Sequence, residues 1–397
     1  MKVLFVSALL PFPLYSGGQI RIYNLLKNLS KTNSITLLSF IRKKEENKYI
    51  ENLDFLENVI TVERGKATRL KYIVNTLLGP YPLLLSSYFN PDMMEIIQTQ
   101  MQRVKYDLVH IEPFYVYPSL PKLNIPLVVS EHNVEHEVYE SYASNSSNLL
   151  VKYVLKKDAN RIKKWEKKVL KAADEIVCVS TIDQKKLINF SDRKSVELVP
   201  NGVDIDHFQF EEKDFTKNEK TFLYVGNFAW LPNKNSLDLL LNRTWPKIVS
   251  SHPQSKLNIV GKNLPKKYLK NKKYSNIEFF QNVNDIRKQY SKCDALLAPI
   301  DISGGTKFKL LESMAAGLPV VTTKHGASGL PVKSGIHCII APTQADFLEG
   351  VKSLFTNTSR WQKICKNARE FVENKYSWKN ISSLQQKVWE KVNYEKR

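Results

Sequence analysis

The strongest constraint on this chain is an alternation of strand-like and helix-like segments that runs through it twice. Residues 2–9 are a nearly unbroken apolar run, the pattern of a central parallel strand covered on both faces. The loop PFPLYSGG follows, and then 19–29 repeats apolar residues at Ile20, Tyr23, Leu26 and Leu29, the spacing of a helix. Residues 34–40 read as the next strand. This is a βαβ unit whose glycine-rich loop lies at the carboxyl end of its first strand. Strand-like runs at 107–111, 127–130, 175–180 and 196–199 continue the series, and Pro200-Asn-Gly202 marks a turn. A second series begins at 221–225 and passes through 256–261, 277–280, 295–299, 320–322 and 338–341. Helical patterns at 237–249, 309–316 and 346–354 fall between its strands. Two such series predict an α/β protein of two Rossmann-like, doubly wound domains facing one another across a cleft. The boundaries implied are 1–198 and 199–376, with 377–397 a last helix free to pack back on the first domain.

Length and composition agree with that plan. At 397 residues and 43% hydrophobic content the chain suits two ordinary globular domains. Its four cysteines, Cys178, Cys293, Cys338 and Cys365, are scattered without a CxxC or Cys/His spacing, which argues against a disulfide framework and a structural zinc site. The amino-terminal MKVLFVSALLPFP imitates a signal peptide, but it offers no small-residue cleavage site and a good helix pattern follows. It is read as a buried strand. The apolar stretch 74–89 is broken by Gly79, Pro80 and Pro82, too short a run for a membrane span. The expectation is a cytoplasmic protein, with peripheral attachment at the inner face of the membrane as its variant.

That variant arises from charge. The net charge is +20, and residues 151–171 hold nine Lys or Arg against Asp158 and Glu166. In that segment Val151, Leu155, Ile162, Trp165 and Val169 recur at helical spacing, so the lysines should line the opposite face. Such a face is either simply solvated or turned toward an anionic membrane or polymer. A second basic run, 266–273, has no aromatic stacking pattern beside it, and no nucleic-acid motif is present. Nucleic acid is not an expected partner.

Chemistry concentrates in four pieces. They are the SGG loop at 16–18, VPNGVD at 199–204, YVGNFAWLPNKNS at 224–236 and GGTKFKLLESMAAGLPVVTTKHGASGL at 304–330. Their order and spacing resemble family 4 glycosyltransferases of the GT-B fold, over nearly the whole chain. The resemblance implies a retaining enzyme without a required metal or other cofactor. It would use a nucleotide-diphosphate sugar, bound mainly by the second domain, and a glycan or lipid-linked acceptor on the first. Cell-surface polysaccharide or glycoconjugate synthesis is the setting it suggests.

The residues of 304–312 suit that reading physically. A departing diphosphate gains negative charge in the transition state, and a helix amino terminus opened by glycines presents N–H groups to it. Gly305, Thr306, Lys307, Phe308 and Lys309 would form the diphosphate site; lysines there oppose the helix dipole unless an anion lies between. Glu312 shares a helix face with Lys309, and in the family this glutamate holds the ribose hydroxyls. Gly17 and Gly18 leave N–H groups open at the start of the first helix, with Arg21 one turn on, pointing at the same anion or at water. Lys234 stands where the family has a phosphate-binding lysine. His132, after the strand at 127–130, matches a family histidine near the transferred sugar and is, with Glu312, the residue expected at the reacting centre. His110 and Glu112 end a neighbouring strand and are candidates for holding the acceptor.

Two positions depart from the family pattern. Gly304 replaces the first glutamate of its E-x7-E arrangement, and Asn227 follows Gly226 where an arginine is usual. They leave room for a non-catalytic binding or scaffold protein, and a sugar-nucleotide epimerase is the rival of the same fold. Two metal readings are also weighed. His132, Glu135 and His136 imitate a ligand set but lack a third clear donor, and Asp204-Ile-Asp206 imitates a metal-binding D-x-D. Neither is adopted.

Overall fold

The structure is a computed structural model that describes residues 1–65, 69–145, 147–269, 276–283, 285–301 and 307–395. The chain divides into two compact units, 1–200 together with 381–397, and 201–380. Each is built on one parallel sheet.

In the first unit the strands are β1 (Lys2–Ser7), β2 (Ser34–Ile41), β3 (Asn58–Glu63), β4 (Leu108–Glu112), β5 (Leu127–Glu131), β6 (Glu175–Cys178) and β7 (Glu197–Leu198). They lie in the order β3-β2-β1-β4-β5-β6-β7. In β1, β4 and β5, Val3 to Val6, Leu108 to Ile111 and Leu127 to Val129 are buried on both faces, which explains why these segments read as continuous apolar runs. β3, NVITVE, lies at the sheet edge and is only partly buried; its apolar signal is too short to have marked it in the sequence.

The second unit carries β8 (Thr221–Asn227), β9 (Lys256–Lys262), β10 (Ile277–Gln281), β11 (Ala295–Ala298), β12 (Val320–Thr323) and β13 (Ile339–Ala341). Their order is β10-β9-β8-β11-β12-β13. All pairings in both sheets are parallel, with β1 bonded to β2 on one side and β4 on the other, and β8 likewise between β9 and β11. Connections out of β1 and β8 therefore leave in opposite directions from those returning through β4 and β11. The crevice at the carboxyl ends of such a strand pair is where open α/β sheets bind ligands.

Eight of the helices carry or flank the candidate residues. They are α1 (Gly17–Leu29), α2 (Leu70–Leu78), α3 (Glu135–Ser144), α4 (Leu149–Ala172), α5 (Leu231–Leu239), α6 (Phe308–Ala315), α7 (Thr358–Tyr376) and α8 (Trp378–Glu395). α1 starts where it does because the Ser16 hydroxyl accepts the Gln19 N–H, at 3.4 Å, a side-chain cap for one orphan donor of the first turn. α8 carries the far end of the chain onto the first unit. Its Trp389 is fully buried there, Lys391 pairs with Glu175 and Glu197 at 2.7 and 2.8 Å, and Gln386 accepts from Asn33.

Candidate functional site

The candidate residues gather at the switch point of each sheet. In the first unit the centre is Glu112, the last residue of β4, whose carboxylate is fully buried. Arg21 of α1 donates from Nε to Oε1 at 2.9 Å, and His132, just after β5, lies 2.5 Å from the same oxygen through Nε2. Burial alone would raise the Glu112 pKa. The Arg21 guanidinium and the bonds from His110 and His132 outweigh it and hold the group well below the usual carboxylate range. An ionised Glu112 accepts only, so His132 donates from Nε2 and its Nδ1 is turned away from the carboxylate. That edge of the ring faces α1: a methyl on Gly18 would stand 3.5 Å from His132 Cε1 and 3.7 Å from Nδ1. The glycine loop and the histidine, 114 positions apart in the chain by subtraction of their numbers, thus line one spot.

The rest of this network fixes the histidines. Trp389 Nε1–H donates to His110 Nδ1 at 2.9 Å. Since an indole can only donate, His110 carries its proton on Nε2, where it meets Ser130 Oγ at 2.9 Å. Burial lowers the His110 pKa, so the ring is neutral, stacked on Phe5 with centroids 4.6 Å apart. Arg21 differs from its sequence expectation. Its side chain is 1% exposed and donates to the carbonyls of Val199 and Pro200 at 2.9 and 3.0 Å. It is sunk beneath the loop as a clamp on Glu112, because a buried carboxylate needs a charge partner more than the solvent-facing loop does.

His136 goes elsewhere. It lies within α3, bonded through Nδ1 to Glu166 of α4 at 2.6 Å, and Glu166 also accepts the N–H groups of Glu135 and His136 at 2.9 and 3.1 Å. Glu166 is thereby the anionic cap of α3. His132 and His136 have separate carboxylate partners, and no His, Cys, Asp or Glu cluster among the described residues could hold a metal ion. Beside them Glu131 is fully buried, and neither of its oxygens meets a hydrogen-bond partner among the described residues. Burial, with the charges of Glu166 and Glu135, raises its pKa well above the carboxylate range; Glu135 is pushed up to about 7 by burial and Glu166. The Asp204 triplet is a turn. Asp204 Oδ1 accepts the N–H groups of Asp206 and His207 at 3.2 and 2.9 Å.

The second unit assembles its site around Asn233. Gly226, near the end of β8, has no side chain, and Asn233 of α5 packs there with Cγ 3.2 Å from where a methyl would stand. Asn233 donates to the Asn227 carbonyl at 2.9 Å and accepts from Lys309 Nζ at 3.1 Å. Lys309 Nζ also stands 4.8 Å from the Tyr224 ring centre. Asn227 turns its own Oδ1 to Ala229 N and Asn263 Nδ2, at 3.1 and 2.9 Å. One turn along α6, Glu312 accepts from the buried Tyr290 hydroxyl at 2.8 Å. Lys307 occupies the cap position of α6, and the Phe308 ring lies 6.3 Å from Trp378. Arg369 of α7 donates to the Ala315 carbonyl at 2.8 Å and so ties down the other end of the helix.

Charge here is poised differently. Burial, with Lys307 adding to it and Glu312 opposing, pushes Lys309 down to about 7. Burial raises Glu312, against the Tyr290 bond and Lys309. Both groups are thus drawn toward neutrality by loss of water. Lys234 is exposed on α5; its neighbour Asn233 is the residue aimed at Lys309. Gly304, Gly305 and Thr306 lie outside the described residues. Asn233, Tyr290 and Trp389 were not singled out in the sequence. Asn233 sits within the matched LPNKNS piece and could have been, whereas nothing local marks the other two.

Comparison with known proteins gives one direction. Residues 15–207 match the model described as Glycosyltransferase Family 4, and 219–357 match Glycosyl transferases group 1. The chain is 24% identical to an uncharacterized 44.6 kDa protein in the cps region of Klebsiella pneumoniae, over 96% of this chain and 98% of that one. It is 33% identical to the capsular polysaccharide biosynthesis glycosyltransferase CapH of Staphylococcus aureus, over 32% of this chain and 38% of that one. Anabaena HepE, solved in complex with UDP and glucose, is similar in fold with a TM-score of 0.67 at 15% identity, covering 99% of this chain and all of that one.

Proposed function

Given that the chain belongs to family 4 of the glycosyltransferases, we propose that it moves a hexosyl group from a nucleoside-diphosphate donor to a hydroxyl of a glycan or lipid-linked acceptor. The anomeric configuration is retained and no metal ion is required. The reading is carried by Lys309 at the first turn of α6, a half-buried cation that burial has driven to the edge of deprotonation. A lysine placed so gains most when an anion arrives to share its low-dielectric surroundings. A diphosphate does this, and Lys307 beside it supplies a second charge. Those cations take the part a divalent ion plays elsewhere. Glu312, held by Tyr290, accepts from the ribose hydroxyls.

In the transfer the bond from the anomeric carbon to the diphosphate oxygen breaks and its electron pair stays with the diphosphate. The acceptor oxygen bonds to that carbon on the same face, and its proton passes to the departing diphosphate oxygen. The donor-side cations stabilise the charge that develops there. His132, with Nε2 held by Glu112, offers Nδ1 to a sugar hydroxyl. Polysaccharide assembly as the setting is supported by the CapH and cps-region relatives, and UDP as the first nucleotide to try by HepE.

Thermal unfolding with UDP, GDP and their sugars tests this, because a ligand of the folded form raises its melting point. One nucleotide should raise it, and Glu312→Ala and the Lys307→Ala/Lys309→Ala double variant should abolish the rise, each measured against its own melting point without ligand. Gly304 and Asn227, at the two positions that depart from the family pattern, favour a second reading, a non-catalytic scaffold. A scaffold predicts no response to any of these ligands.

A further inference from the structure

Helix α2 is amphipathic the wrong way round for a soluble surface helix. Leu70, Ile73, Val74 and Leu77 recur at the three- and four-residue spacing of one helix face, which in a globular protein turns inward. Here all four are exposed, Leu77 at 77%, and Leu78 beside them is 86% exposed. The residue α2 buries is Tyr72, whose hydroxyl donates to the Arg64 carbonyl at 2.6 Å.

Its neighbour α4 repeats the anomaly. Val151, Val154, Asp158, Arg161 and Trp165 form one stripe along α4 at alternating three- and four-residue steps. The later half of that stripe holds the segment leading out of α2. Arg161 donates to the carbonyls of Thr76, Gly79 and Tyr81 at 2.8 to 2.9 Å, Trp165 to that of Pro80, and Asp158 accepts the Leu83 N–H. The earlier half, Val151 and Val154, is exposed, as are Leu149 at 81% and Leu150 at 73%. The sequence expectation that Val151 lies on a buried stripe therefore fails for the first turns of this helix; burial begins at Ala159.

Directly alongside runs a ridge of exposed residues, Leu150, Tyr153, Lys157, Lys164 and Lys168. Both acids of α4 are turned inward, Glu166 to His136 and Asp158 to the Leu83 N–H. The outward charge of the helix is therefore cationic, and five of its lysines, Lys163 to Lys171, line one open groove of about 810 Å³. Near that end Asp192 pairs with Lys167 and Lys171.

We propose that this face of the first unit, the outer stripe of α2 with the apolar start of α4 and its lysine ridge, docks on an anionic lipid bilayer. Apolar side chains enter the boundary between headgroups and acyl chains while lysines meet the lipid phosphates. No helix among the described residues is long and apolar enough to cross a membrane, so the contact lies flat on the surface. A second copy of the chain fits less well, because a two-fold pairing of this patch would set each lysine ridge against its like. The surface goes beyond the donor site and stands independently of it.

Co-sedimentation with vesicles of phosphatidylglycerol and phosphatidylcholine in equal parts, and of phosphatidylcholine alone, tests the proposal. The full chain should pellet with the mixed vesicles and far less with the neutral ones. Leu77→Asp/Leu78→Asp should weaken partitioning about tenfold or more, and Lys157→Gln/Lys164→Gln/Lys168→Gln on the order of a hundredfold. All are exposed positions, so melting points should match that of the parent. A parent chain that ignores both vesicle types overturns the proposal. So does a dimer by light scattering that Leu77→Asp/Leu78→Asp dissolves while vesicle binding is unchanged, which would assign the face to a second copy.

Discussion

The two units place charged residues at the same topological position and treat them in opposite ways. At the end of β4 the carboxylate of Glu112 is deeply buried, yet Arg21 and His132 pair its charge from within the protein, both through Oε1. At the start of α6 Lys309 and Glu312 are half-buried, and their pKa values move toward the neutral forms. The first cluster has its charge paired before any ligand comes. In the second, Lys309 Nζ donates to the Asn233 amide, a dipole and not an anion. A site whose charges are already paired can orient a neutral group such as a sugar hydroxyl, whereas a site left short binds an ion.

The largest test of that contrast is stability. Glu112→Ala strands Arg21 without its partner and should cost about 3–5 kcal/mol, read as a lower denaturant midpoint, while Glu312→Ala, which takes the acceptor from the buried Tyr290 hydroxyl, should cost less, about 1–3 kcal/mol. Equal losses would mean that the two sites are built alike. The Glu112 contribution also has a pH signature. Its folded pKa is depressed, so its stabilisation is complete above the ordinary carboxylate range and is lost as pH falls through the depressed value.

Ligand affinity comes next. Lys309→Met should weaken nucleoside-diphosphate binding by about 1.5–3 kcal/mol, roughly ten- to a hundredfold, measured by calorimetry, with no loss of melting point. In the parent protein the same lysine makes binding pH-dependent. Below about 7 it is charged before the ligand arrives, and above 7 binding must take up a proton. Affinity should therefore fall by about tenfold per pH unit as pH rises above 7, and the Lys309→Met variant should lack that slope. The smallest effect belongs to Trp389→Phe. It removes the donor to His110 Nδ1 and should cost about 1 kcal/mol, leaving diphosphate affinity untouched.

Much of the architecture was readable as pattern. Fully buried parallel strands such as β1, β4 and β11 announce themselves because both faces must be apolar, and β3 escaped because Asn58, Thr61 and Glu63 break its apolar run. The segment around Lys309 and Glu312 was legible because helix spacing puts both on one face. Lys234 stands where the family has a phosphate-binding lysine; fold geometry sets the neighbouring Asn233 amide against Gly226 and leaves the Lys234 side chain exposed.

What the chain settled by itself is local: where strands and helices run, which loops carry glycine, and which short segments gather cations and an acid. These follow from periodicity and from the chemistry of neighbours a few residues apart. Tertiary structure alone decided that Arg21 lies under its loop on Glu112, that Trp389 sets the proton of a histidine 279 residues away, that Lys309 is close to losing its charge, and that the apolar stripe of α2 faces outward. Each depends on burial and on partners brought together from distant parts of the chain, and neither desolvation nor distance is written in the order of residues.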